Sequence, residues 1–258
     1  FRVDVARGVP ITFWTKCLQT LKAIRPLFFL AEADDAPLHN AGFDATYTWR
    51  EYNVIKEVAA GKKDVTYLDT IFNTIDTSFM KGAWRLYFTS NHDENSWNKA
   101  DFETMPGIIH APFAVLALTY NRTMPLIYSG QEEPVLRALQ FFEKDPIQFN
   151  KYERASFYTA LLQLRNSNKA FGEKAQFKRL SVNNPNAIMA YQRVFENDKV
   201  VVVLNLSNKA QVVQLELNGQ ASKYKELFTG KQFSNIQNSA LPPWGYQVFV
   251  KMNEAINR

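Results

Sequence analysis

Leu86-Tyr87-Phe88-Thr89-Ser90-Asn91-His92-Asp93 is a β-prone run that ends by delivering a carboxylate. Two earlier runs do the same: Phe1-Arg2-Val3-Asp4 and Leu27-Phe28-Phe29-Leu30-Ala31-Glu32. Strands that are apolar along their length belong in a buried parallel sheet, and in a β/α barrel the chemistry sits at the C-terminal strand ends. Two carboxylates facing one scissile bond, with a third close by, are what acid-catalysed glycoside cleavage needs.

The segments around these runs fit the same architecture. Phe13, Trp14, Cys17, Leu18, Leu21 and Ile24 recur at helical spacing, and Pro26 closes that helix before the next strand. A short strand is expected over 42–49, a helix over 52–60 stopped by Gly61, and a helix over 67–79 with Leu68, Ile71, Phe72 and Ile75 on one face. Residues 106–120 are apolar nearly all round, the mark of a buried helix. A strand over 125–128 and a helix over 151–165 follow. Alternating strands and helices imply a parallel sheet with right-handed crossovers. We count four strand positions, about half of an eight-stranded barrel.

Near Phe171-Gly172 the pattern changes to short alternating segments, at 188–195, 200–206, 212–217, 224–228 and 246–250. Asn183-Asn184-Pro185-Asn186, Asn197-Asp198, Ser207-Asn208 and Asn218-Gly219 punctuate them as turns. The fold class is therefore α/β: a partial (β/α)8 TIM barrel, its second half, over 1–172, then an all-β antiparallel sandwich over 173–258. Trp244 and Tyr246 could stack on sugars, but packing at the seam between the two parts is the preferred reading.

Composition excludes several classes. Of 258 residues, 46% are hydrophobic and 14% aromatic, which suits a packed globular protein. No apolar stretch is long enough to suggest a transmembrane helix, so no membrane partner is expected. The net charge of +5 is spread among 25 acidic residues without a basic stripe, and nucleic acid is not an expected partner. His39, His92 and His110 lack metal-site spacing, and a lone Cys17 forms no internal disulfide. No metal ligand set is assigned. A Gly-x-Gly-x-x-Gly or P-loop is also absent, which argues against a dinucleotide or phosphate enzyme.

Within the three runs the residues suggest roles. Arg2 lies two residues before Asp4, on the same strand face, where a guanidinium would keep that carboxylate ionised. Asp4 is thus the better nucleophile. Glu32 follows an apolar wall, and desolvation there would raise its pKa and suit it to act as the acid. Asp93 would grip sugar hydroxyls, with His92 beside it. Taken singly each is weak, because an Asp after a strand is more often a cap or turn residue.

Together these stretches resemble three motifs of the α-amylase family, glycoside hydrolase family 13: Phe1-Arg2-Val3-Asp4, Leu30-Ala31-Glu32-Ala33-Asp34 and Phe88-Thr89-Ser90-Asn91-His92-Asp93. Residues 124–132 look like that family's last barrel strand and the loop after it, and Leu241-Pro242-Pro243-Trp244-Gly245-Tyr246 is similar to part of its C-terminal sandwich. The resemblance implies a catalytic trio of Asp4 as nucleophile, Glu32 as acid/base and Asp93 as transition-state carboxylate. It implies substrate binding by Arg2, His92, Asn91 and Trp97, with Glu94 and Asn95 shaping sugar subsites.

The implied activity is retaining hydrolysis of α-glucosidic bonds in starch-like α-glucans or maltooligosaccharides, which are the implied partners. A glucanotransferase of the same family, or a non-catalytic carbohydrate-binding or structural homologue, remain as alternatives. The chemistry requires no cofactor. The family's first motif, its early strands and its loop domain, where a structural Ca2+ would belong, have no counterpart here. The sequence therefore reads as the C-terminal portion of a larger enzyme, expected to be inactive alone and to self-associate or pair with the missing barrel half. The residues leave location open, and the family suggests an extracellular or periplasmic one.

Overall fold

The structure, a computed structural model, describes residues 1–98, 101–217 and 222–252. Five strands form one parallel sheet in chain order: β1 (Arg2–Val3), β2 (Leu30–Ala31), β3 (Ala45–Tyr47), β4 (Trp84–Tyr87) and β5 (Thr123–Pro125). The expected count of four falls one short. The β1 ladder has only two residues, yet it pairs Val3 with Ala31 in register. Neither β1 nor β5 has a second neighbour among the described residues, so the sheet is an open arc of a β/α barrel.

Helices α1 (Ile11–Ile24), α2 (Pro37–Asn40), α3 (Trp49–Ala59), α4 (Val65–Ser78), α5 (His92–Trp97), α6 (Asp101–Thr104), α7 (His110–Thr119) and α8 (Ala155–Ser167) accompany it. None of the described helices is long and apolar enough to cross a membrane. The start of α4 is two residues earlier than periodicity predicts, because the Asp64 carboxylate caps it by accepting the Thr66 N–H at 3.0 Å. β5 likewise precedes its expected position, since the strand-like run 125–128 continues past the last ladder pair, Tyr87 with Pro125. α7 is buried on all sides, as an all-apolar helix must be.

The second part is antiparallel. β6 (Gln176–Arg179), β7 (Ile188–Phe195), β8 (Asp198–Asn205), β10 (Tyr224–Glu226), β11 (Gln232–Phe233) and β13 (Tyr246–Lys251) make one sheet; β9 (Gln211–Gln214) and β12 (Asn238–Leu241) make a smaller one. Alternation along β7 and β8 divides two cores. Ile188, Ala190, Val201 and Val203 pack inside the sandwich with Val213 and Leu241, while Met189, Tyr191, Val200, Val202 and Leu204 join the core of the α/β part. Both faces are therefore buried, which explains the unbroken valine run in β8. The turn expected at Asn218-Gly219 lies outside the described residues.

The seam is apolar with a few fixed polar bonds. Trp244 packs on Phe113 of α7 with ring centroids 6.1 Å apart, and Tyr246 meets Phe157 of α8 at 5.8 Å. Both aromatics pack at the seam, the preferred reading of the sequence. Tyr191 and Thr119 share a 2.6 Å hydroxyl contact, and Arg193 donates to the Ala170 carbonyl at 2.7 Å.

Inside the α/β part lies a charged cluster that periodicity does not reveal. Arg85 of β4 is buried, with its guanidinium 2.6 Å from Asp34 and 3.0 Å from Glu51 of α3. It also bonds Thr46 of β3 at 2.5 Å, so one side chain joins two strands, a helix and the loop after β2. Burial pushes the Glu51 carboxyl upward against the pull of Arg85. Removing one partner of such a cluster strands a buried charge, and Glu51→Ala should lower stability by about 3 kcal/mol. Urea denaturation checks this, and a midpoint unchanged from wild type would contradict it.

Candidate active site

The parallel ladder decides which side chains meet. The Glu32 N–H donates to the Val3 carbonyl at 2.9 Å, which carries the β1–β2 pairing one residue past the strands and sets Asp4 beside Glu32. Arg2 lies between them: Nη1 is 2.6 Å from the Asp4 carboxylate, and Nη2 bonds Glu32. Val5 adopts a left-handed conformation, φ 45°, which is strained for a β-branched residue. That geometry turns the Val5 N–H onto Glu32 Oε2 at 2.9 Å.

His92 and Asp93 arrive from the far side. Asn91 caps α5 by accepting the Glu94 N–H at 2.9 Å, and the first turn then presents both residues. His92 Nε2 is 4.0 Å from Glu32 and 3.7 Å from Asp93. Ligand atoms of Glu32, His92 and Asp93 lie within 4.8 Å of one another, the one trio among the described residues that could converge on a cation. A groove of about 550 Å³ opens beside Glu32, with Arg7, Asp34, Trp49 and Arg50 in its wall.

The two adjacent carboxyls differ in environment. The Asp4 side chain is 74% exposed and that of Glu32 only 12%. Hydrogen bonds from Glu32 and then Arg2 hold Asp4 below its ordinary value. Burial pushes Glu32 up, against the Val5 N–H. The two neighbours are thus pushed in opposite directions, Asp4 toward the ionised form and Glu32 toward the protonated one.

The sequence-derived site residues separate here into two groups. Asp4, Glu32, Arg2, His92 and Asp93 come together. Asn91 does not join them, because its side chain is fully buried as the helix cap. Glu94 and Asn95 also point inward: Glu94 pairs with Lys56 at 3.2 Å, and Asn95 accepts the Leu139 N–H at 2.7 Å. Trp97 is exposed and belongs to an aromatic group one turn further along α5.

The chain is similar to known proteins along most of its length. A family model described as the maltogenic amylase C-terminal domain matches residues 177–248. The α-amylase MalA of Haloarcula japonica is 28% identical over 224 residues, 83% of this chain and 32% of its own length. A cyclomaltodextrinase of Thermoanaerobacter pseudethanolicus is 26% identical over 250 residues, 88% of this chain and 41% of its own. The solved structure of the maltogenic α-amylase AmyB from Thermotoga neapolitana superposes with a TM-score of 0.79 at 19% identity, over 97% of this chain and 58% of that one. The chain is related to the α-amylase family, glycoside hydrolase family 13. It spans less than half the length of these two curated relatives.

In this α-amylase relative, several residues around the site have no role that the sequence assigns. Tyr47, at the end of β3, is buried and hydrogen-bonds Arg2. Asp34 fastens the loop after Glu32 by accepting the Arg50 N–H at 2.8 Å in addition to Arg85. Phe141 stacks on His92 with centroids 5.8 Å apart. The signal for Phe141 and Phe142 was an aromatic pair in a polar, proline-punctuated stretch. Tyr47 left none, because its partner is distant in sequence; Asp34 closes the Leu30–Asp34 stretch, but nothing in that stretch signals its bonds to Arg50 and Arg85.

Loss of the Arg2 charge should raise the pKa of both carboxyls, since it favours the ionised form of each. Carbon-13 titration of Arg2→Gln checks this; two unmoved carboxyls would contradict it. The linked stability effects have opposite signs. The Asp4 contribution is present above its unfolded pKa and fades as pH falls through the lowered folded value; that of Glu32 is present below its unfolded pKa and fades as pH rises through the raised one.

Proposed function

We propose that this chain carries the nucleophile, the acid/base and the stabilising carboxylate of a retaining glycoside hydrolase acting on α-glucosidic bonds of starch-like glucans or maltooligosaccharides. The observation that supports it is the paired environment of Asp4 and Glu32: neighbouring carboxyls, one exposed with its pKa lowered, one largely shielded from water with its pKa raised. Asp4 attacks the anomeric carbon while Glu32 protonates the departing oxygen. Glu32 then takes a proton from water, whose oxygen displaces Asp4. Asp93 and His92 hydrogen-bond the sugar hydroxyls as the ring flattens, so their contacts strengthen in the transition state. Two carboxyl groups complete this chemistry without a cofactor. We divide the chain at residue 172, with the site entirely in the first unit.

Reducing-end release from maltoheptaose tests the reading, with this chain alone and with the unmatched portion of the Thermotoga neapolitana enzyme supplied. Turnover is expected in the second case, and Glu32→Gln should reduce it by about 10²- to 10⁴-fold. Asp4→Asn should abolish turnover while retaining sugar binding. Inactivity of the complemented, folded protein would overturn the proposal.

The same reading includes a partner. Phe1, Val5, Phe13, Ile24 and Phe28 are exposed on β1, α1 and the segments flanking them, at the open end of the parallel sheet. Uncovered apolar surface of this kind favours association by about 25 cal/mol per Å² buried. We propose that this end self-associates or pairs with further barrel units. Size-exclusion chromatography should show species larger than the monomer, and a clean compact monomer would contradict it.

A further inference from the structure

Tyr47 ends β3 among the groups that the carboxylate site depends on, and its side chain is buried there. Its hydroxyl hydrogen-bonds the Arg2 guanidinium and lies within electrostatic reach of Glu32 and Asp93. The charged groups that face it thus come from three elements: Arg2 from β1, Glu32 from the end of β2, and Asp93 from α5.

The ring is held on several sides. Trp49 stacks on it with centroids 5.6 Å apart and an interplanar angle of 21°, and Phe88 meets it edge-on at 5.9 Å. The Tyr47 N–H donates to the Ala33 carbonyl at 2.9 Å, which ties the end of β3 to the chain just beyond Glu32. On its other side Tyr47 pairs with Leu86 in the β3–β4 ladder. Packing therefore presents the phenol oxygen at one place, and a partner held there costs little further entropy.

We propose that Tyr47 is a positioning residue for the paired carboxyls: its oxygen accepts from Arg2 and holds the guanidinium where Asp4 and Glu32 share it. The proposal rests on the function assigned to those carboxyls. Arg2 is long and partly exposed, so its guanidinium could swing wholly to one carboxyl or the other. A neutral third acceptor fixes it without competing for its charge, as a further carboxylate would. Burial pushes the phenol up, so the oxygen remains an uncharged acceptor through the neutral range. One charge then acts on two carboxyls at once.

Carboxyl carbon-13 titration of the full chain tests this, using Tyr47→Phe, Arg2→Gln and the double variant. Phenylalanine keeps the ring between Trp49 and Phe88, so the fold should survive, as circular dichroism checks. Tyr47→Phe should raise the pKa of both Asp4 and Glu32, by less than Arg2→Gln does, because a loosened guanidinium favours their ionised forms less. The double variant should titrate like Arg2→Gln alone, since the hydroxyl acts only through that side chain. Unmoved carboxyls in Tyr47→Phe, or shifts that add in the double variant, would overturn the proposal. In the wild-type chain, nuclear Overhauser contacts between the Arg2 guanidinium protons and the Tyr47 ring are expected, and their absence would overturn it without any variant. No sugar enters these measurements, so their failure is distinct from failure of the hydrolytic reading, which maltoheptaose turnover reports.

Discussion

One guanidinium shared by two carboxyls on neighbouring parallel strands is the contact on which the rest of the site depends. Arg2 reaches Asp4 on its own strand end and Glu32 on the next. Only the pairing of Val3 with Ala31 brings these groups together, and a slip of one residue would turn a carboxylate to the opposite face. The strained Val5 backbone is explicable in the same terms, since it aims an N–H at Glu32. Burial then decides the outcome: Glu32 sits deeper than Asp4, so desolvation acts on one carboxyl far more than on its neighbour.

That arrangement needs rigid support from below and behind. Arg85, Glu51 and Asp34 provide some of it by tying β3, β4, α3 and the loop after Glu32 into one buried ionic cluster. The ion pairs are weak as a source of stability because desolvation offsets much of their attraction, but a single lost partner is costly. The antiparallel part contributes differently. One face of β7 and β8 packs against the α/β core while the other closes the sandwich, so the β-sheet covers buried helices that would otherwise face water.

The parts legible in the sequence were those with local causes. Strand and helix periodicity located α1, α3, α4, α7 and most of the antiparallel strands. The carboxylates at the ends of β1 and β2, and after β4, could be picked out because each follows an apolar run. What stayed hidden depends on contacts between distant residues. Tyr47 meets Arg2, and Asp34 meets Arg85, across 45 and 51 positions of chain, with no spacing rule to signal either. Asn91 was misleading for a related reason: a residue beside His92 in a motif-like stretch is a cap, and its side chain faces the helix rather than the groove.

The central claim is that Asp4 forms the covalent bond to sugar. The direct measurement is mass spectrometry of the folded, complemented protein after exposure to a slow-turnover fluorinated α-glucosyl donor. The account predicts one added glycosyl mass on the peptide containing Asp4, absent from Asp4→Asn. A label on another residue, or none on a protein that turns over maltoheptaose, would contradict it.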